Sequence, residues 1–185
     1  REDAVAIAGG REPVFETEHV RVYENPNAFP HAWIVHETVV TTRDDAIDRL
    51  LLREIDLRTA ALIETDDVTV QPLPTGASES ATITRYDPER IELRATAAAD
   101  GLLVLSEIHE SGWRAYVNGD EVGIVPANVA LRGIPLPAGE HTVVLEYDPP
   151  ALRVGLALSL LSHALLIGAL VAVVITIRRN GQPAR

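Results

Sequence analysis

Two aromatic residues three apart, Trp113 and Tyr116, are of the kind that lie flat against a sugar ring. Such side chains offer an apolar π face with a polar handle at one end. On a strand their spacing puts them on opposite faces, so at most one lines any given surface. The competing role is burial: Trp is highly buried on average, and a sandwich core would claim Trp113, and Trp33 likewise. Asn25, Asn27 and His31 fall in a Pro-punctuated stretch, Glu24 to His31. Side chains of these types hold a hydroxylated or phosphorylated group, or build the turn itself.

Other constellations point to less. His36-Glu37 lacks the second His of a zinc-protease helix, since position 40 is Val. The six His are scattered, and only His31 and His36 lie close, so neither a metal site nor a cofactor is expected. Asp44, Asp45 and Asp48 resemble a paired-acid site, but acids at a helix start face the positive end of the dipole and need no chemistry. Asp100-Gly101 and Asn118-Gly119-Asp120 lack the ligand series of a calcium loop. The sequence has no nucleophile elbow, phosphate loop or dinucleotide fingerprint. Zero Cys removes disulfides and thiol catalysis. The net charge of −11 argues against nucleic acid, whose phosphates need a basic face. All 16 basic residues are Arg, for which folding supplies no reason.

The elements that would position these residues are mostly strands. Val5 to Ala8, Val20 to Tyr23 and Ala32 to Val35 are short β-branched and aromatic stretches. Thr41-Thr42 followed by acids, then Ala46, Ile47, Leu50 and Leu51 at helical spacing, predicts a short helix over 43–52. Ala60 to Glu64 reads as a strand and Val68 to Val70 as extended chain. Residues 1–75 thus form a short N-terminal α/β portion, and the Pro, Gly and Ser of residues 72–80 make the best internal boundary. From 81 to 150 the pattern is an antiparallel β-sandwich. Ile91, Leu93 and Ala95 alternate onto one face, and Leu102 to Leu105 is apolar enough for a central strand. Asn118-Gly119 marks a type I′ hairpin. Ala130 to Leu136 and His141 to Tyr147 are expected to pair around Pro137 to Glu140.

Val154 to Ile177 then runs 24 residues without Asp, Glu, Lys or Arg and stops at Arg178-Arg179. At about 1.5 Å per residue such a helix spans roughly 36 Å, enough for a hydrocarbon core of about 30 Å. All 27 acids lie at or before Asp148, and residues 178–185 form a basic tail. That asymmetry puts the tail in the cytoplasm and residues 1–150 outside it. Pro149-Pro150 should stiffen the junction. Within the span, His163 is an ionisable residue that would hydrogen-bond a neighbouring helix, with Ser159 and Ser162 nearby. Ala164, Gly168 and Ala172 form a small-residue stripe that lets another helix approach. With no Met and no leader before Arg1, the chain is expected to be the C-terminal piece of a longer membrane-threaded protein; the alternative is an anchored protein whose leader has been removed.

The run Tyr23-Glu24-Asn25-Pro26-Asn27-Ala28-Phe29-Pro30-His31-Ala32-Trp33 resembles a segment near the end of YfhO-family bacterial membrane proteins. So do Gly101 to Glu107, Gly112-Trp113-Arg114-Ala115-Tyr116-Val117-Asn118-Gly119, Ala127-Asn128, Leu131-Arg132-Gly133, Pro137 to His141 and Tyr147 to Pro150. The likeness covers about residues 20–175. His31 stands where the family usually has Arg, Ser111 where Pro precedes Gly-Trp, and Asn118 where Asp precedes Gly. The family is similar to multi-spanning glycosyltransferases that take sugars from polyprenyl-phosphate carriers on the outer face of the membrane. The resemblance implies an extracytoplasmic accessory domain and last helix in the bacterial cytoplasmic membrane. Its partners would be membrane lipid, the remaining transmembrane helices of the parent protein, and polyprenyl-linked sugar or cell-envelope glycan. The catalytic acid of such a transferase belongs to an early loop, so no catalytic residue is assigned here. The rival expectation is a membrane-anchored carbohydrate-binding or sensor ectodomain without catalysis.

Overall fold

The computed structural model describes residues 12–180, with side chains described to residue 177. The expected stretch Val5 to Ala8 lies outside the described residues, as do positions 181–185 of the tail. The chain divides into two compact units, residues 1–30 and 31–185. The described part of the first unit holds a two-stranded ribbon, β1 (Phe15–Glu16) and β2 (Arg21–Val22), paired antiparallel. Thr17 closes its turn by accepting the Val20 N–H at 3.1 Å.

The second unit is mainly β, followed by one apolar helix. Its strands are β3 (Ala32–Val35), β4 (Glu37–Val40), β5 (Ala60–Ile63), β6 (Ser80–Asp87), β7 (Arg90–Ala97), β8 (Gly101–Ile108), β9 (Trp113–Val117), β10 (Asp120–Val122), β11 (Val125–Ala127), β12 (Leu131–Leu136) and β13 (Gly139–Tyr147). Helix α1 (Arg43–Leu52) links β4 to β5, and α2 (Pro150–Asn180) follows β13. One sheet has the order β10-β9-β13-β7-β6 and the other β3-β8-β12-β11-β5-β4. Every pair is antiparallel except β4 with β5, which the α1 crossover joins in parallel.

The alternation of β7 buries Ile91, Leu93 and Ala95 between the sheets. Val143 and Leu145 of β13 and Ala115 and Val117 of β9 join them from the same sheet, and Leu103, Leu105, Ile134 and Leu136 meet them from the other. A second cluster covers the opposite face of the six-stranded sheet, where Val35, Ala61, Ile63, Leu102, Val104 and Ala127 lie under Val68, Trp33 and Val70. β8 is therefore buried on both faces, which accounts for its unbroken apolar run. Each fully buried Leu, Ile or Val among them contributes about 1.5–3 kcal/mol on burial.

Helix α1 covers the predicted residues. Thr42 caps it by accepting the Asp45 N–H at 3.3 Å, and Arg53 ends it in the left-handed conformation. The predicted pairing of residues 130–136 with 141–147 does not form. β12 pairs with β8 and β11, whereas β13 pairs with β7 and β9, so the two strands lie in different sheets. Pro137 to Gly139 is a corner between sheets, with Gly139 at φ 128° and Ala138 N–H donating to Asp100 Oδ1 at 2.8 Å. Alternation sets which face a strand buries and leaves its neighbour open. Residues 31–63 and 81–147 likewise interleave, since β3 pairs with β8 and β5 with β11.

Helix α2 starts at Pro150, four residues before the uncharged run, because proline fits the first turn where its missing N–H would have no helical partner. Among the described residues it is the one helix long and apolar enough to cross a membrane.

Candidate functional site

The outward face of the five-stranded sheet carries a groove of about 540 Å³, lined by Arg90, Tyr116, Asn118, Gly119, Thr142, Val144 and Glu146. Register builds it. Val144 lies opposite Tyr116 on one side and Glu92 on the other, and Thr142 lies opposite Arg94. The core-facing positions are the alternate ones, so the groove presents an aromatic ring, an amide, a hydroxyl, a guanidinium and a carboxylate side by side. A neighbouring hollow of about 500 Å³ shares Asn118 and Thr142 and adds Ser80, Arg94, Thr96, Glu140 and His141.

Each wall residue is held by the fold. The β9–β10 hairpin turns at Asn118 (φ 54°) and Gly119 (φ 95°), both positive as a type I′ turn demands. Asn118 Oδ1 accepts the Thr142 N–H at 2.9 Å, and its amide nitrogen meets His141 Nδ1 at 3.0 Å. Arg90 Nε donates to Glu92 at 2.7 Å, and Arg90 also pairs with Glu146. Arg114 stands 5.6 Å from the centroid of the Tyr116 ring and grips Glu121 with two hydrogen bonds, at 2.8 and 2.5 Å. Those bonds hold the Glu121 carboxyl below its ordinary value and Arg114 above its own. Both nearby carboxylates, Glu92 and Glu146, are paired to Arg90, so the groove sets paired charges and hydrogen-bonding groups beside an aromatic face.

Of the residues singled out in the sequence, Tyr116 lies in this groove and Trp113 does not. Trp113 packs on the core from the other face of β9, with the Arg132 guanidinium 4.0 Å from its ring and Tyr147 at 5.3 Å. Trp33 lies in the second cluster and donates its indole N–H to Leu57 O at 2.8 Å. Asn25 and Asn27 belong to the first unit, where Asn25 Oδ1 accepts the Asn27 N–H at 3.1 Å within a turn. His31 opens the second unit and meets Tyr86 edge-on at 6.1 Å. His36 bridges Gln71 O and Glu79, each at 2.8 Å. In α2, His163 bonds Ser159 O of its own helix at 2.8 Å. Ala164, Gly168 and Ala172 are exposed along α2.

Two buried polar residues escaped the sequence reading. Arg132, 4% exposed, donates Nε–H to Ile108 O at 2.9 Å, and its Nη1 has no partner among the described residues. Burial pushes its pKa down, against the pull of Glu107, Tyr86 and Glu110. Asn128, at φ 50°, accepts the Leu62 N–H at 2.9 Å through its side chain. The available signal for Arg132 was a lone charge inside the otherwise apolar run from Val129 to Leu136.

A family model of the bacterial membrane protein YfhO matches residues 50–159, more than half of the chain. The chain belongs to the YfhO family. The match runs from the last turn of α1 into α2, so the groove, Arg132 and the foot of the apolar helix all lie in the YfhO region, while Asn25, Asn27 and His31 precede it. No curated protein and no solved structure matches the chain.

Proposed function

We propose that this YfhO-family chain is the accessory portion of a cell-envelope glycosyltransferase-like membrane protein that uses polyprenyl-phosphate-linked sugar. In this reading the sandwich lies outside the cytoplasm, α2 is a membrane span packed through the Ala164, Gly168 and Ala172 stripe, and the groove holds sugar units of an acceptor glycan. The observation that carries it is the groove around Tyr116, which sets an aromatic face among an amide, a hydroxyl and an Arg–carboxylate pair. Catalysis belongs to other parts of the parent protein. The remaining sequence candidates, Asn25, Asn27, His31 and Trp113, are secondary. Trp113 is the weakest of them, since Arg132 and Tyr147 pack against its ring.

Titration of the purified chain with cell-envelope oligosaccharides, followed by calorimetry, tests the groove. Tyr116→Ala is expected to weaken binding at least about tenfold, or ~1.4 kcal/mol, with an unchanged melting temperature. Binding that is absent, or indifferent to this substitution, refutes the groove assignment. Orientation is tested separately in intact cells, since the chain has no Cys. Asp120→Cys should react with a membrane-impermeant maleimide, and protection until lysis would reverse the proposed topology.

A further inference from the structure

At the foot of the sandwich, two short segments are tied to the end of β13, just before α2. Asp148 N–H donates to Gly112 O at 2.7 Å, Tyr147 N–H donates to Glu89 O at 2.9 Å, and Tyr147 lies opposite Trp113. Gly112 is required there, because a Cβ would overlap the Tyr147 ring. The uncharged run begins at Val154, and the helical stretch 150–153 rises only about 6 Å. That matches one headgroup layer of roughly 5–7 Å. Asp148, and with it the β8–β9 loop, therefore stands at the level of the lipid headgroups when α2 spans the bilayer.

The end of β8 that leads into this loop presents an apolar tip. Ile108 is 72% exposed, more than any other large apolar residue in the described strands. A bulge aims it. Arg132 pairs with Leu105 and Leu131 with Ile108, so two extra β8 residues, Ser106 and Glu107, face a single step of β12. Such a bulge turns the following side chain away from its former face. The buried Arg132 pins the turn by donating to Ile108 O, and His109 N–H donates to Ala130 O at 2.7 Å. The nearby exposed Arg side chains are already matched: Arg90 with Glu146, Arg114 with Glu121 and Arg153 with Asp148. Arg132 is buried, so among these described residues no unpaired cation faces outward to seek anionic lipid.

We propose that the β8–β9 loop is a lipid-contact surface, with Ile108 resting in the interface of a zwitterionic bilayer beside the foot of α2. This rests on α2 being the span and is independent of sugar binding. The Cys-free chain allows single-site labelling with a polarity-sensitive fluorophore at Ile108→Cys, Asp120→Cys and Leu161→Cys, reconstituted in phosphatidylcholine vesicles containing headgroup-level spin-labelled lipid. Quenching at 108 is expected to exceed that at 120, at the far end of β9, by about threefold or more, and to be unchanged when phosphatidylglycerol is added. In a second design the probe sits at Ser111→Cys, and adding Ile108→Asp should lower its quenching. If 161 is shielded from water but 108 is quenched no more than 120, the proposal fails and the span stands. If 161 is not shielded, both fail. Quenching at 108 that requires anionic lipid, or a probe at 111 indifferent to Ile108→Asp, also overturns the proposal.

Discussion

Arg132 sits where an apolar side chain would be expected, with its guanidinium against Trp113, one bond to Ile108 O and an orphan Nη1. Truncation and isosteric replacement should therefore separate. Arg132→Ala leaves a void under the indole and an unmatched carbonyl, and is expected to lose about 2–4 kcal/mol in urea unfolding. Arg132→Met leaves the same carbonyl unmatched but keeps the volume and removes a buried charge, which offsets that loss, and should stay within about 1 kcal/mol of the parent chain. The Arg114–Glu121 pair makes a different prediction. Glu121 titrates below the ordinary value of 4.5 in the folded chain, so its contribution to stability is fully present above that value and is lost as pH falls through the folded one. Melting temperature should thus fall further in the parent chain than in Glu121→Gln between about pH 6 and about pH 3. A parallel fall in both would contradict it. Tyr116 could be picked out in the sequence because an aromatic ring is the kind of face that stacks on a sugar. Arg132 shows in the sequence only as a lone charge in an apolar run; its role was not legible, because its partners come from β8 and β9, elements whose register with β12 no local pattern reveals.

Among the elements, those specified by local chemistry were legible. The cap and first-turn acids mark α1, and Asn118-Gly119 marks the β9–β10 hairpin, because each depends on residues adjacent in sequence. Gly119 at φ 95° has open space around it, so strain alone is at issue. Gly119→Val should cost about 1–2 kcal/mol in urea unfolding, and Gly119→Asn much less, since Asn tolerates positive φ. Equal losses from both would show that the turn is not what matters. The missed elements are the corners. The β12–β13 link has the composition of a hairpin turn, yet it carries the chain from one sheet to the other. What decides this is the set of strands waiting on each side, which only the assembled sandwich defines.

Across the second unit, the two large sheets share one core, and the six-stranded sheet has its second face covered by the chain's own Val68 and Val70. The five-stranded sheet keeps its outer face open as the groove. Its strand order has a further consequence for how the protein is made. β13 is the last strand before α2, yet it lies in the middle of its sheet, between β9 and β7. During synthesis the first-made strands of that sheet have a gap between them until Tyr147 emerges, so the domain cannot close cotranslationally strand by strand. Maturation is held back to the moment the apolar helix follows, and until then two strand edges stand open to wrong partners. A chain ended at Ala138 should accordingly be digested by protease throughout residues 81–138, whereas one ended at Pro149 should resist. Survival of the shorter chain would mean that β7 and β9 find each other without the strand that separates them.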